Sequence, residues 1–192
     1  MSDVFQTFLD AIAAGDDSHA EQAALALAHE GDAALSSLHE LLTGDDPDRR
    51  WWAARGLSAV GTQAAQNLLL TALDDPDPYV RACAAQGLGE LRAEGAAAGL
   101  ARCLTDPSTL VSRIAADSLA RIGAPSVPFL ITALQEGEVA ARAGAARALS
   151  IIQPEEAVPA LCAALDDPSA IVTYYAEEAL ERMGVGMVFF QP

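Results

Sequence analysis

The sequence predicts an all-α protein, a right-handed α-α superhelix of about six helix pairs, and three observations lead there. Leu57, Leu88, Leu119, Leu149 and Leu180 recur at separations of 31, 31, 30 and 31 residues. A second series, Leu42, Leu73, Leu104, Leu134 and Leu165, repeats the same steps in another phase. A fixed period of this length marks stacked supersecondary units that share one continuous core. Composition supplies the third observation: hydrophobic residues make up 52% of the chain, yet aromatics only 5%. Alanine and leucine must therefore fill the interior. That favours closely spaced helices, since alanine has the best helix propensity and small side chains let helix axes approach.

The elements follow in order. A shallow terminal pair is expected over 3–14 and 18–30, with Phe8 and Ile12 standing where a leucine pair stands later. Residues 32–43 and 48–60 form the next pair. From there each first helix ends on leucines at i, i+4: Leu69 with Leu73, Leu100 with Leu104, Leu130 with Leu134, Leu161 with Leu165. Second helices carry a stripe such as Val80, Ala84, Leu88 and Leu91, the spacing of one helical face. Acidic-proline turns lie between them at Asp45-Asp46-Pro47, Asp74-Asp75-Pro76, Asp106-Pro107 and Asp166-Asp167-Pro168. Aspartate is expected to cap the following helix, and proline suits its first turn. Gly61, Gly123 and Gly184 stop second helices where a left-handed cap is wanted.

These elements make one repeat domain over 1–192. Residues 1–30 are its capping pair, 31–184 its regular repeats and 185–192 a hydrophobic tail. Within the tail, Met187-Val188-Phe189-Phe190 is expected to lie over the final repeat, or alternatively to dock another subunit.

Charge narrows the partners. The 27 acidic residues against 11 basic ones give a net charge of −16, and every basic residue is arginine. Such a surface repels phosphate backbones and anionic lipid headgroups, so neither nucleic acid nor membrane is expected as a partner. A basic protein suits the field better. Cys83, Cys103 and Cys162 are odd in number and form no CxxC pair, which reads as core thiols in a reducing compartment. The N-terminus lacks a basic, secretory-type start, and no apolar run reaches membrane-spanning length. A cytoplasmic location follows as the expectation.

The stretch from Asp75 to Leu88 reads Asp-Pro-x-x-x-Val-Arg-x-x-Ala-Ala-x-x-Leu. It resembles the short HEAT-like repeat typified by phycobilisome-lyase proteins. The resemblance covers 32–184 well and the first thirty residues loosely. It departs at Glu136-Gly137-Glu138, which lacks Asp-Pro, and at Ser112 and Thr173, which replace the arginine. It implies a HEAT-like solenoid in which the arginine column Arg50, Arg81 and Arg142 is structural, bridging to aspartates of adjacent turns.

The resemblance also implies that the outward face of the second helices lines a groove. Counted from the core alanine, one column there reads Trp51, Ala82, Arg113, Ala143, Tyr174, and another, four residues on, Arg55, Gln86, Asp117, Arg147, Glu178. A flanking column runs Trp52, Cys83, Ile114, Gly144, Tyr175. Tryptophan, tyrosine and arginine dominate binding hot spots. We therefore take Trp51, Trp52, Arg55, Arg113, Asp117, Arg147, Tyr174, Tyr175 and Glu178 as the candidate partner-binding residues. For Trp52 and Tyr175 the competing reading is gap filling between helices; Trp51 and Tyr174 face away from the stripe.

Chemistry finds less support. His29-Glu30 and His39-Glu40 are His-Glu dipeptides, the motif around which the HEAT-like deoxyhypusine hydroxylases hold iron. Here the two copies lie ten residues apart on different helices, without the i, i+4 spacing one helix needs for a metal, and none follow. No metal and no cofactor are expected. Glycine-rich phosphate loops, nucleophile elbows and Cys–His pairs are absent, so no catalytic residue is assigned. The expected function is a protein-binding scaffold. The alternative is a bilin lyase-like or chaperone-lyase role on a protein substrate, implied only by the resemblance. A helical-repeat DNA glycosylase is a third reading, and the charge argues against it.

Overall fold

The computed structural model describes residues 2–185; the Met187–Phe190 segment lies outside them. Among the described residues there are twelve α-helices, short 3₁₀ turns and no strand. Helix packing divides the chain into two compact units, Met1–Ala93 and Glu94–Pro192.

The first unit holds α1 (Asp3–Ala14), α2 (Asp17–Ala26), α3 (Leu35–Leu42), α4 (Pro47–Val60), α5 (Gln63–Ala72) and α6 (Pro78–Glu90). The second holds α7 (Ala97–Arg102), α8 (Thr109–Ile122), α9 (Val127–Glu136), α10 (Val139–Ile152), α11 (Val158–Ala163) and α12 (Ala170–Arg182). Each pair packs on itself, and like helices pack on like. Helix α4 contacts α2 and α6, while α10 contacts α8 and α12; α3 meets α5, and α9 meets α7 and α11. Each unit is thus a two-layer stack of three helix pairs, the six expected in all. The expected helix over 18–30 stays α-helical only to Ala26 and tightens into a 3₁₀ turn, Leu27–His29.

Both leucine ladders form the core. Leu57, Leu88, Leu119 and Leu149 of the first are fully buried, Leu42, Leu73, Leu104 and Leu134 of the second are buried, and their i−4 partners Leu69, Leu100, Leu130 and Leu161 are fully buried. Burying a leucine contributes roughly 1.5–3 kcal/mol, so the ladders are the main source of stability. Leu165 breaks the pattern at 40% exposed.

The acidic-proline turns work differently from the expectation. At Asp46 the cap holds: its carboxylate accepts from the Asp48 N–H, with Pro47 at the first helical position. Before α6 the cap is Asp77, ahead of Pro78, and Asp75 accepts instead from the Asp77 N–H at 2.8 Å. Before α8 and α12 the caps are Ser108 and Ser169, whose side chains make no cap bond. Their amides donate back to Asp106 and Asp167, both at 2.8 Å. At these three turns the aspartate therefore closes an Asx-turn one step ahead of the helix.

That placement frees the carboxylate for the arginine column. Arg50 donates from Nε and Nη2 to Asp75 at 2.8 and 3.0 Å, and Arg142 does the same to Asp167. Each arginine also ties down its own turn: Arg50 donates to the Gly44 and Asp45 carbonyls, Arg142 to that of Gly137. The structural reading of the column holds at Arg50 and Arg142, and Arg81 likewise ties down its own turn by donating to the Asp75 and Pro76 carbonyls. The hydroxyls of Ser112 and Thr173, which replace the arginine, donate to carbonyls of their own helices, at Thr109 and Ala170.

The caps expected at Gly61, Gly123 and Gly184 belong to a longer ladder that ends the second helices. Gly31, Gly61, Arg92, Gly123, Gln153 and Gly184 follow at 30, 31, 31, 30 and 31 residues, and all have positive φ. Arg92 at +48° and Gln153 at +57° adopt a backbone that side chains disfavour.

Candidate protein-binding surface

The candidate residues are placed by second helices, whose buried stripe fixes which side chains remain outside. In the first unit Trp52 is buried, its ring edge-on to Phe8 with centroids 6.2 Å apart. Trp51 is half-buried and stands edge-on against Trp52 at 4.9 Å. Trp52 thus fills a gap between α1 and α4, and it braces the ring that remains accessible. Arg55, one turn further along α4, forks onto Glu21 of α2, with Nε 3.0 Å from Oε2 and a second contact from Nη2 to Oε1. Behind them Cys83 of α6 donates its thiol to the Trp51 carbonyl at 3.7 Å; burial pushes its pKa up to about 12.

In the second unit, α8 presents Arg113 and Asp117, α10 presents Arg147, and α12 presents Tyr174, Tyr175 and Glu178. Arg147 Nη2 lies 2.8 Å from Asp117 Oδ1 and donates to the Arg113 carbonyl at 3.3 Å, joining α8 to α10. Tyr174 is 56% exposed and packs edge-on to half-buried Tyr175, with centroids 5.2 Å apart. Glu178 pairs with Arg182 at 2.7 Å, and Arg182 also donates to the Ser150 carbonyl of α10. Arg113, Ala116, Gly144, Arg147 and Tyr175 line a pocket of about 240 Å³.

The candidates therefore form two clusters. Trp51, Trp52 and Arg55 belong to one unit, and the six others share one face of the other. Sequence reasoning put Phe8 at a core position but not against Trp52, and it missed Glu21 and Arg182; all three hold these side chains in place. One signal was available for Glu21: carrying the Trp51 column back by one period of 30 lands on it.

The histidines are dispersed. His19 bonds Asp16 at 2.6 Å, His29 lies in a 3₁₀ turn and His39 in α3. Among the described residues no three His, Cys, Asp or Glu side chains are grouped to hold a metal ion, and no helix is long and apolar enough to cross a membrane.

Comparison with known proteins fixes the family. The family model for HEAT repeats matches residues 5–75, 35–116, 66–140 and 100–181. Among solved structures, the CpcE–CpcF complex of phycocyanin lyase from Nostoc sp. PCC7120 is 28% identical, with a TM-score of 0.56. That match covers 76% of this chain and 63% of the lyase chain, short of two thirds of it. YibA of Escherichia coli is 20% identical over 98% of this chain and 78% of its own, with a TM-score of 0.60. A designed armadillo repeat protein in complex with the peptide (KR)4 is 19% identical over 95% of this chain and all of its own, at 0.53. No curated protein matches the sequence. The solved likenesses show the α-α superhelical fold class, and the repeat matches, spanning nearly the whole chain, establish that it belongs to the HEAT-repeat family.

Proposed function

We propose that this HEAT-repeat chain is a protein-binding scaffold that holds a segment of a basic partner on the outward faces of its second helices. The observation that carries the reading is the mounting of its aromatics. Trp51 and Tyr174 stay accessible on regular helices, each braced edge-on by a less exposed neighbour. Rigid, amphipathic rings of this kind gain contact area at little entropic cost. The net charge of −16 favours a basic partner. The same fold class carries a (KR)4 peptide in the designed armadillo neighbour. Free thiols at Cys83, Cys103 and Cys162 suit a cytoplasmic setting.

Photo-crosslinking tests the proposal. Benzoylphenylalanine placed at Trp51 or Tyr174 should trap a basic protein in the native cell. The same group at Tyr79, exposed on α6 outside these columns, should not. Equal adducts from all three positions, or none from the first two, would overturn it.

A second reading, a lyase-like role on a bilin-bearing protein, is favoured only by the likeness to the CpcE–CpcF complex. It requires the trapped protein to carry a bilin.

A further inference from the structure

Arginine pairing on the second-helix faces follows a rule with one exception. Arg55 is held by Glu21, Arg147 by Asp117 and Arg182 by Glu178. Arg113 is exposed, and among the described residues its guanidinium meets no carboxylate and no carbonyl; only its own carbonyl is used, by Arg147. Acids outnumber bases 27 to 11, so a bare cation is not for want of anions. The carboxylate within reach along its own helix, Asp117, is already engaged by Arg147.

This cation stands on the wall of the pocket of about 240 Å³ between α8, α10 and α12. Ala116, Ala143 and Gly144 give that pocket short walls, and Tyr175 also lines it. A Cβ added at Gly144 would lie 3.4 Å from both Ala116 Cβ and Leu104 Cδ2, so the floor is closed below. A volume of about 240 Å³ has room for one side chain.

We propose that this pocket takes a single acidic side chain of the bound partner, an aspartate or glutamate carboxylate, paired with Arg113. The proposal rests on the protein-binding reading and names what one site within it recognises. Planar guanidinium and carboxylate groups pair through two parallel hydrogen bonds, which fixes orientation as well as charge. Long-range attraction by an acidic chain brings in basic segments without discriminating among their registers. A lone carboxylate seated on Arg113 sets the register, since a one-residue slip sets a basic side chain against the arginine.

The test is a ¹⁵N NMR titration of the full chain at low ionic strength with N-acetylglutamate N-methylamide, against its glutamine analogue and inorganic phosphate. The glutamate probe should shift the amides of Arg113, Gly144 and Tyr175 at tens of millimolar, as one exposed ion pair allows, and the glutamine analogue by at least about five-fold less. Arg113→Gln should remove that difference, while Arg92→Gln, on an exposed arginine outside the pocket, should preserve it. Equal shifts from both amides, absence of shifts, persistence of the difference in Arg113→Gln, or preference for phosphate would each overturn the assignment. Crosslinking at Tyr174 reads partner binding itself, so either idea can fail without the other.

Discussion

Arg142 grips Asp167 through two parallel donors, Nε at 2.7 Å from one carboxylate oxygen and Nη2 at 3.1 Å from the other. The same guanidinium donates to the Gly137 carbonyl at 2.9 Å, so one side chain joins the turn before its own helix to the turn of the next repeat. Both side chains are largely out of water, at 18% and 10% exposure. The arginine's hydrogen bonds hold the Asp167 carboxyl below its usual 3.8. The fold thus favours the charged form. Its contribution is complete above the ordinary carboxylate range and is lost as pH falls below it.

Asp167→Asn should therefore melt at a lower temperature than the parent chain at pH 7. The gap should narrow as pH is lowered through 4 and below. Thermal melts across that range check it; a gap that stays constant down to pH 2 would count against the pair as the cause.

Gln153 sits at the left-handed end of α10, in the position that glycine fills at Gly61. Gln153→Gly relieves the backbone penalty and returns some unfolded-state entropy, for a net gain of about 0.5–1 kcal/mol. Gly61→Ala has the opposite sign, since its Cβ would add strain at φ +66° and lie 3.0 Å from Leu91 Cδ2. Urea denaturation of the two variants should move in opposite directions.

Gly87 on α6 is packed against Ser58 on α4 so closely that a Cβ there would fall 1.9 Å from Ser58 Oγ and 2.9 Å from its Cβ. Gly87→Ala should cost about 1–3 kcal/mol by overpacking. Ser58→Gly in the same chain should restore most of the loss, and a double-mutant cycle measures the coupling.

Thiol chemistry should divide along burial. Cys162 is exposed, whereas Cys83 and Cys103 are buried and the Cys83 thiol is pushed up to about 12. Iodoacetamide at pH 8 should label Cys162 alone in the native protein and all three in denaturant, read by intact mass. Rapid native labelling of Cys83 would contradict the packing of α6 on α4.

Periodicity made the core legible because leucines at one register must fall on one face, and the helix starts followed from the turns between them. Where two solutions share a sequence signal, reading the residues was not enough. Asp-Pro is as good a cap as an Asx-turn until the arginine of the preceding repeat is seen claiming the carboxylate. Neither Arg92 nor Gln153 announces a positive φ, since only their register with Gly61 gives it away. At the surface, Trp51 and Trp52 are neighbours of identical chemistry. What separates them is Phe8, far away in the chain, whose register with the later leucine pairs marks it as core without telling which tryptophan it meets.

The rungs joining Arg50 to Asp75 and Arg142 to Asp167 both span 25 residues, and at Ser112 the cation is missing. Twenty-five residues on from Ser112 stands Gly137, where an added Cβ would lie 2.5 Å from the Ala133 carbonyl oxygen. Cation and anion are thus dispensed with together. Successive blocks are consequently not interchangeable copies. A duplication or crossover that cuts between an arginine and its aspartate leaves one charge facing the wrong neighbour. Joining an arginine-bearing block to the one that carries Gly137 would strand the cation, so that block tolerates rearrangement least.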